Sequence, residues 1–433
     1  MIKQMKMFIF MLLSLGLIAA FSSCSDYVSG IQDPINDAGD DNLNDVSDIP
    51  FLIKGVQTAW SIAFDEHTIF ADGMSDQLGF TRDISQATYP TYEQLDNAWR
   101  EGQGGLNPLI PDNNSTESIM LELGQLRLYA DTLIERVTNR ISFTDSEEDQ
   151  ALKKAALFTG YFYGAIARYM WGAYWGLHPD DGGGGVINKS AYIPRNQMFD
   201  DAIAKLNLAL AQASDEYEAK MVNTLKARIL VYQEKYQEAA AAVVNALAPG
   251  DDSFSALYNT VLNNYWYYWS GIGRSQWHVA PKMHDYVVEN PQEAARIPLY
   301  KLAANLVYSD STYYQQLKYN QLGSPIRFLS WQEANLIKAE LAIRAGENPT
   351  AMGLINEVRA NYGIDPVTDE YVTDKFGGNY LELLIVERDK EFAFEGMRLN
   401  DQRHFKKWHL DPAKTWQYFP IGKNELDANP NLK

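Results

Sequence analysis

The densest set of residues able to do chemistry lies near the carboxyl terminus. Glu387, Glu391 and Glu395 are spaced by four, with Arg388, Arg398, Asp401 and Arg403 interleaved. That spacing puts three carboxylates on one face of a helix, where like charges need basic partners to coexist. One use would be acid and base catalysis; the other is a network of guanidinium–carboxylate pairs fixing a helix end, which the interleaved arginines favour. Elsewhere the inventory is short. The six histidines show no i, i+4 pair and no HExxH, and the one cysteine, Cys24, cannot build a metal site. No GxSxG elbow, GxxxxGK[ST] loop or GxGxxG is present, so nucleophilic and nucleotide chemistry lack their usual scaffolds. Asp180-Asp181 followed by Gly182 to Gly185 reads as a solvated turn, since calcium would require several further oxygens. No metal or other cofactor is expected. With 56 acidic residues, a carboxylate pair for glycoside hydrolysis stays open, because its two members are usually distant in sequence.

The second concentration is aromatic. Between Tyr258 and Trp277, seven of twenty residues are Tyr or Trp, against 12% aromatic residues in the whole chain. A pyranose offers an apolar C–H face that stacks on such rings, while its hydroxyls ask for amide, carboxylate and guanidinium partners. Trp266, Trp269 and Trp277 are the first candidates for such a platform. Tyr265 and Tyr268 stand beside them, with Asn264 and Arg274 as polar partners. Successive rings cannot all face one way, so at most three or four should touch ligand, and a buried mini-core is the competing reading. A weaker second candidate is Arg82, Tyr92 and Trp99, in the polar stretch from Gly79 to Gly105.

The elements that must position these residues read as helices. Lys3 and Lys6 precede a 15-residue apolar run, Met7 to Phe21, too short to cross a bilayer as a helix and ending directly before Ser22-Ser23-Cys24. Residues 1–23 are therefore expected to be a signal peptide and Cys24 a lipidation site in a lipobox-like setting. Residues 24–48, rich in Asp, Asn, Ser and Gly, are expected to form a flexible tether, and 49–433 a single body. Apolar periodicity predicts helices over Phe51–Phe70, Ser115–Val137, Ser146–Trp175 and Asp200–Ala213. Two helical pairs follow. The first carries Met221, Leu225, Ile229 and Tyr232, then Tyr236, Ala240 and Val243; the second runs from Trp331 to Ala345 and, past Gly346 and Pro349, from Met352 to Val358. The wording of the first, Lys226 to Tyr232 followed by Gln237-Glu238-Ala239-Ala240, resembles a tetratricopeptide repeat, in which small alanines let paired helices approach closely. Between the pairs lies a long excursion, 249–330, that reads as irregular and loop-rich. The expected fold class is all-α. A formal net charge of −19 repels phosphate backbones, so nucleic acid is not an expected partner.

The run from Glu387 to Arg398, ERDKEFAFEGMR, with Asp401 and Arg403, is similar to the ERxxELxFEGxRxxDLxR signature of the SusD/RagB family of Bacteroidetes outer-membrane lipoproteins. It is joined by Cys24, by Tyr161-Phe162-Tyr163 to Trp171-Gly172, by Asn335 to Glu340, and by Phe419-Pro420-Ile421-Gly422 to Asn429-Pro430, in the family's order. Phe392 stands for the usual Leu and Leu399-Asn400 for an aromatic-rich pair, while every charged position is kept. The resemblance implies an all-α SusD-like body with four tetratricopeptide-like pairs, anchored by lipid to the surface of the outer membrane. It implies a non-catalytic protein that captures oligo- or polysaccharide for a SusC-like TonB-dependent transporter. A peptide-capturing protein of the same fold, or a surface glycoside hydrolase on a helical scaffold, are the alternatives.

Overall fold

The structure is a computed structural model that describes residues 42–80, 95, 111–179, 181–273, 276–301, 312–411 and 415–432. The chain divides into two units, Met1–Asp48 and Ile49–Lys433. In the first, the described part ends in a 3-10 turn, Val46–Asp48; Cys24, the expected signal peptide and most of the expected tether lie outside the described residues.

In the second unit α1 (Ile49–Met74) is buried on almost every side from Ala63 onward, the pattern of a helix enclosed by others. It packs against α2 (Asn114–Asn139) and α3 (Glu147–Tyr174). Both begin where the sequence offers a cap: the Asn113 side chain accepts from the Ser115 and Thr116 amides, and Ser146 accepts from Asp149. Gly160 lets the two helices close up, since a Cβ there would lie 2.6 Å from the Ile134 side chain. Then come α4 (Arg195–Gln212), α5 (Glu216–Tyr232) and α6 (Tyr236–Val243). The α5–α6 pair turns through Glu234 at φ 59° and packs Ala227, Ala239 and Ala242 together with Ala334 and Ile337 of a later helix.

The excursion is more ordered than its sequence suggests. It holds α7 (Tyr265–Trp269) and α8 (Pro281–Glu289). Strand β1 (Leu78–Phe80), which follows α1, pairs antiparallel with β6 (Trp277–Val279), which neighbours β8 (Tyr314–Gln316) and then β7 (Leu299–Lys301). Strands β2 (Trp175–Gly176) and β10 (Phe419–Pro420), β3 (Gly184–Gly185) and β4 (Ile193–Pro194), and β5 (Phe254–Ala256) and β9 (Ile326–Leu329) form three two-stranded sheets. The all-α expectation is corrected to a predominantly helical fold with, among the described residues, four small sheets. Strands of two to four residues are too short to show an alternation. The body is completed by α9 (Trp331–Arg344), α10 (Asn348–Ala360), α11 (Asp369–Phe376), α12 (Tyr380–Glu391), α13 (Arg398–His404) and α14 (Lys423–Ala428). Among the described residues no helix is long and apolar enough to cross a membrane.

The acidic signature is built differently from its spacing. Helix α12 stops at Glu391, and Phe394 at φ 65° and Gly396 at φ 74° turn the chain, so Glu395 leaves the face shared by Glu387 and Glu391. Gly396 is needed twice over, because a Cβ would lie 2.9 Å from Thr68 Cα of α1. The carboxylates take distant partners. Arg296 and Arg359 each donate to Glu387 at 2.7 Å, Arg327 pairs with Glu391 at 2.8 Å, and Lys318 and Arg327 hold Glu395 at 2.6 and 2.9 Å. Burial raises the Glu387 carboxyl, but Arg296 and Arg359 outweigh it and hold it below the ordinary range. The signature's own arginines look elsewhere. Arg388 forms a bidentate pair with Asp401 at 2.9 and 2.7 Å, and Arg398 a bidentate pair with Asp76 at 2.7 and 2.9 Å. Arg403 donates to the carbonyls of Ala173 and Gln417, tying the end of α3 to the approach to β10.

These pairings differ in redundancy. Without Arg388, buried Asp401 keeps, among the described residues, only the Tyr232 hydroxyl at 3.1 Å, whereas Asp76 and Asp389, the partners of Arg398, both keep Lys282. Arg388→Ala is therefore expected to cost ~3–5 kcal/mol in chemical denaturation, the cost of a stranded buried charge, and Arg398→Ala distinctly less. Equal losses would contradict this pairing scheme.

Candidate ligand-binding site

The aromatic cluster sorts into an inner and an outer set. Asn264 is buried and works as a cap: its side chain accepts from the Trp266 amide at 2.8 Å and donates to Ser324 O at 2.6 Å. Helix α7, YWYYW, thereby starts against α1 with Trp266 turned inward. Trp266 is 0% exposed, its indole N–H donates to Thr68 Oγ1 at 2.8 Å, and its ring packs on Tyr319 and Phe394. Trp277 is also 0% exposed, set in β6 against Phe80 and over Gly73, where a Cβ would lie 2.7 Å from its ring. Trp266, Trp277 and Asn264 are thus framework residues, which corrects the expectation of a platform built on them. A short helix docked on α1 has to spend one face on the core.

The outer set is Tyr265, Tyr267, Tyr268 and Trp269. Tyr265 and Trp269, one helical turn apart, stack almost parallel, with centroids 4.8 Å apart and 3° between planes. Trp269 is half-buried and stacks also on Phe70 of α1 at 5.9 Å, while Tyr265 is 37% exposed. Tyr267 and Tyr268, half-buried, meet edge to face at 5.3 Å, and both crowd Gly273, where a Cβ would lie 2.7 Å from the Tyr267 ring. Arg274, Arg82, Tyr92 and Trp99 lie outside the described residues.

Three carboxyl groups that the sequence reading did not single out adjoin Tyr265. Asp65 Oδ2 faces the Tyr265 amide at 3.4 Å, and Asp65 Oδ1 accepts from the Glu66 amide at 2.6 Å. Burial, reinforced by the Glu66 charge, pushes the Asp65 carboxyl well up. Burial and the neighbouring Glu122 push Glu66 up to about 8, and burial pushes Glu122 up to about 7. The Tyr265 phenol is raised by burial and then by the charges of Glu66, Asp65 and Glu122. Protonated carboxyl groups both donate and accept, as sugar hydroxyls do, so acids of this kind beside a stacked ring pair suit a polyhydroxylated ligand. Asp65-Glu66, two adjacent acids within the span of α1, was the signal in the sequence; Glu122, on another helix, left none. Among the described residues no group of three or more His, Cys, Asp or Glu is placed to hold a metal ion. Asp181 gives its carboxylate to the amides of Leu177, His178 and Gly183, closing its own turn.

The sequence profile of the SusD family (SusD_RagB) matches residues 257–411, the stretch from just before α7 through α13. Among solved structures, a SusD superfamily protein from Bacteroides thetaiotaomicron VPI-5482 superimposes with a TM-score of 0.67 at 14% identity, covering 90% of this chain and 99% of that one. This chain has the SusD-like fold. A SusD-like carbohydrate binding protein from Bacteroides vulgatus ATCC 8482 matches at TM-score 0.67 and 14% identity, over 90% of this chain and 97% of that one. A laminarin binding SusD-like protein matches at 0.63 and 15%, over 89% and 99%. No curated protein matches the sequence. Within the SusD-like fold, the ring pair and its acids belong to the matched segment and to α1 and α2, which precede it.

The raised Glu66 carboxyl has a consequence for stability. A folded-state value near 8 against an ordinary 4.5 means that the folded chain keeps a proton which the unfolded chain releases, so stability falls as pH rises between those values. Glu66→Gln removes that loss. Its melting temperature should exceed the parent's by more at pH 8 than at pH 5; an equal difference at both would show that Glu66 does not hold its proton.

Proposed function

We propose that this chain is a non-catalytic SusD/RagB-type glycan-binding lipoprotein of the outer-membrane surface. It captures oligo- or polysaccharide and delivers it to a SusC-like TonB-dependent transporter. The observation that carries the reading is the near-parallel Tyr265–Trp269 stack, half out of the core and flanked by protonatable acids, on a SusD-like fold. Large rings left partly exposed have no folding rationale and suit the C–H face of a sugar. The α5–α6 and α9–α10 pairs, read as tetratricopeptide-like units, serve as scaffold. Tyr268, Arg274 and, as a second candidate group, Arg82, Tyr92 and Trp99 complete the proposed ligand contacts. Lipid on Cys24, followed by the 24–48 tether, would hold the body at the membrane.

Calorimetric titration against panels of oligosaccharides and oligopeptides tests the cargo. An oligosaccharide is expected to bind, and Tyr265→Ala and Trp269→Ala each to weaken it by about tenfold, in the range of ~1–3 kcal/mol known for a base stacked on an aromatic side chain. Circular dichroism should be unchanged. Binding confined to peptides would reassign the cargo, and release of reducing ends would make the protein a hydrolase. Intact mass of membrane-extracted protein should show Cys24 as an acylated first residue; a chain retaining residues before it would remove the proposed anchor.

A further inference from the structure

One side chain in the core of α1 is out of keeping with its surroundings. His67 is 1% exposed, and among the described residues neither of its ring nitrogens has a hydrogen-bond partner. Aromatic rings enclose it. Tyr174, at the end of α3, meets it edge to face at 4.6 Å, Phe419 of β10 does so at 5.3 Å, and Trp175 of β2 lies at 6.1 Å. The Tyr174 hydroxyl is committed elsewhere, donating to Gly396 O at 3.1 Å. A phenylalanine would fill such a box without leaving an N–H unpaired, which is costly in a core.

An imidazole differs from a phenyl ring in that it can also take up a proton, and here the proton would bring a charge with no counter-charge. The acids on the enclosing elements are occupied: Asp401 of α13 is taken by Arg388, and Glu117 of α2 by Asn424. Helix α13 brings instead a second cation, Arg403, which donates to the carbonyls of Ala173 and Gln417 on either side of the box. Tyr418, next to Phe419, turns its hydroxyl to Gly182 O at 2.8 Å. Ring faces offset part of the cost of a buried cation but cannot replace water or a carboxylate.

Relief is available where the box is weakest. Tyr174 and its C-cap Trp175 end a helix of 28 residues, whereas β10 is two residues long and paired with β2 through Phe419 and Trp175. In 415–432 the buried apolar side chains are Trp416, Tyr418, Phe419 and Ile421, and neither α14 nor Pro430–Leu432 buries any. A segment with so few buried contacts opens at less cost than the helices beneath it. It rests on α2, where the Gly422 amide faces Met120 Sδ at 3.2 Å and the Asn424 amide donates to Glu117 Oε1 at 2.9 Å.

We propose that His67 is an acid-sensitive latch: once protonated, it favours a form in which residues 415–432 have lifted from α1 and α2, giving the imidazolium water and baring Met120 and Glu117. Burial holds the enclosed imidazole down at about 3, against an ordinary 6.5. Closure is therefore fully stable above 6.5 and weakens by about tenfold for each pH unit below it, until the folded value is reached.

Amide hydrogen exchange read by mass spectrometry, on the full chain at pH 7.5 and pH 5, tests the latch. After correction for the intrinsic pH dependence of exchange, protection in 415–432 should fall ~30-fold between the two, while protection in α5 and α6 holds. In His67→Phe and His67→Gln, which stay uncharged, that fall should vanish. Asp65, Glu66 and Asp72, the raised carboxyls of α1, respond to acid in the opposite sense, and comparing parent with variant at one pH removes their share. A fall that persists in either variant takes the role from His67. Parent protection that is unchanged in 415–432, or lost equally in α5 and α6, overturns the latch, and that reading needs neither variant to fold.

Discussion

Five consecutive charged residues, Glu387 to Glu391, are buried at the end of α12, and the body depends on their being paired. Each ion costs several kcal/mol to bring out of water, and the attraction between partners offsets that only when geometry and remaining hydrogen bonds are met. The partners come from all sides: Arg296 before β7, Arg327 in β9, Arg359 in α10, Asp401 in α13, and Lys282 in α8. Misplacing α13 would take Asp401 from Arg388, while Glu387 and Asp389 each have at least two basic partners. The network therefore specifies how the excursion and the carboxyl-terminal helices meet, more than it adds stability. Gln77 extends it to the segment after α1, donating to Asp389 Oδ1 at 2.9 Å and accepting from the Phe394 amide at 3.0 Å.

This arrangement is what sets the aromatic platform. Phe394, held by the turn at Gly396, packs on Trp266, and Trp266 is hydrogen-bonded to α1, so α7 is fixed from beneath by its buried ring. With that face committed, the turn-related pair Tyr265 and Trp269 falls on the other side, next to Asp65 and Glu66. A rigid stacked pair enters binding with little conformational entropy left to lose. The buried Trp266 thus fixes the placement of the outer pair.

Much of the helical body was legible because its boundaries are local. Ser146, Ser330 and Gly346 are caps and stops that act within four residues, and α3, α9 and α10 begin or end where they stand. The strands were not legible, since β6 and β8 owe their extension to pairing with distant segments. The acidic cluster was legible as paired, but its partners were misread: Arg296 lies 91 residues from Glu387, and no spacing rule reaches that far. Likewise the aromatic density was legible, while telling its buried rings from its exposed ones required knowing which side of a five-residue helix meets α1. Trp266 and Trp277 have the composition of a platform and the surroundings of a core.

The central claim is that sugar meets the outer rings of α7 while the inner ones stay untouched. Fluorine NMR of protein labelled with 5-fluorotryptophan, each signal assigned by a single Trp→Phe variant, reads this directly. On titration with a bound oligosaccharide the Trp269 resonance should move, and those of Trp266 and Trp277 should stay in place. A saturated complex in which Trp269 is unmoved would contradict the account.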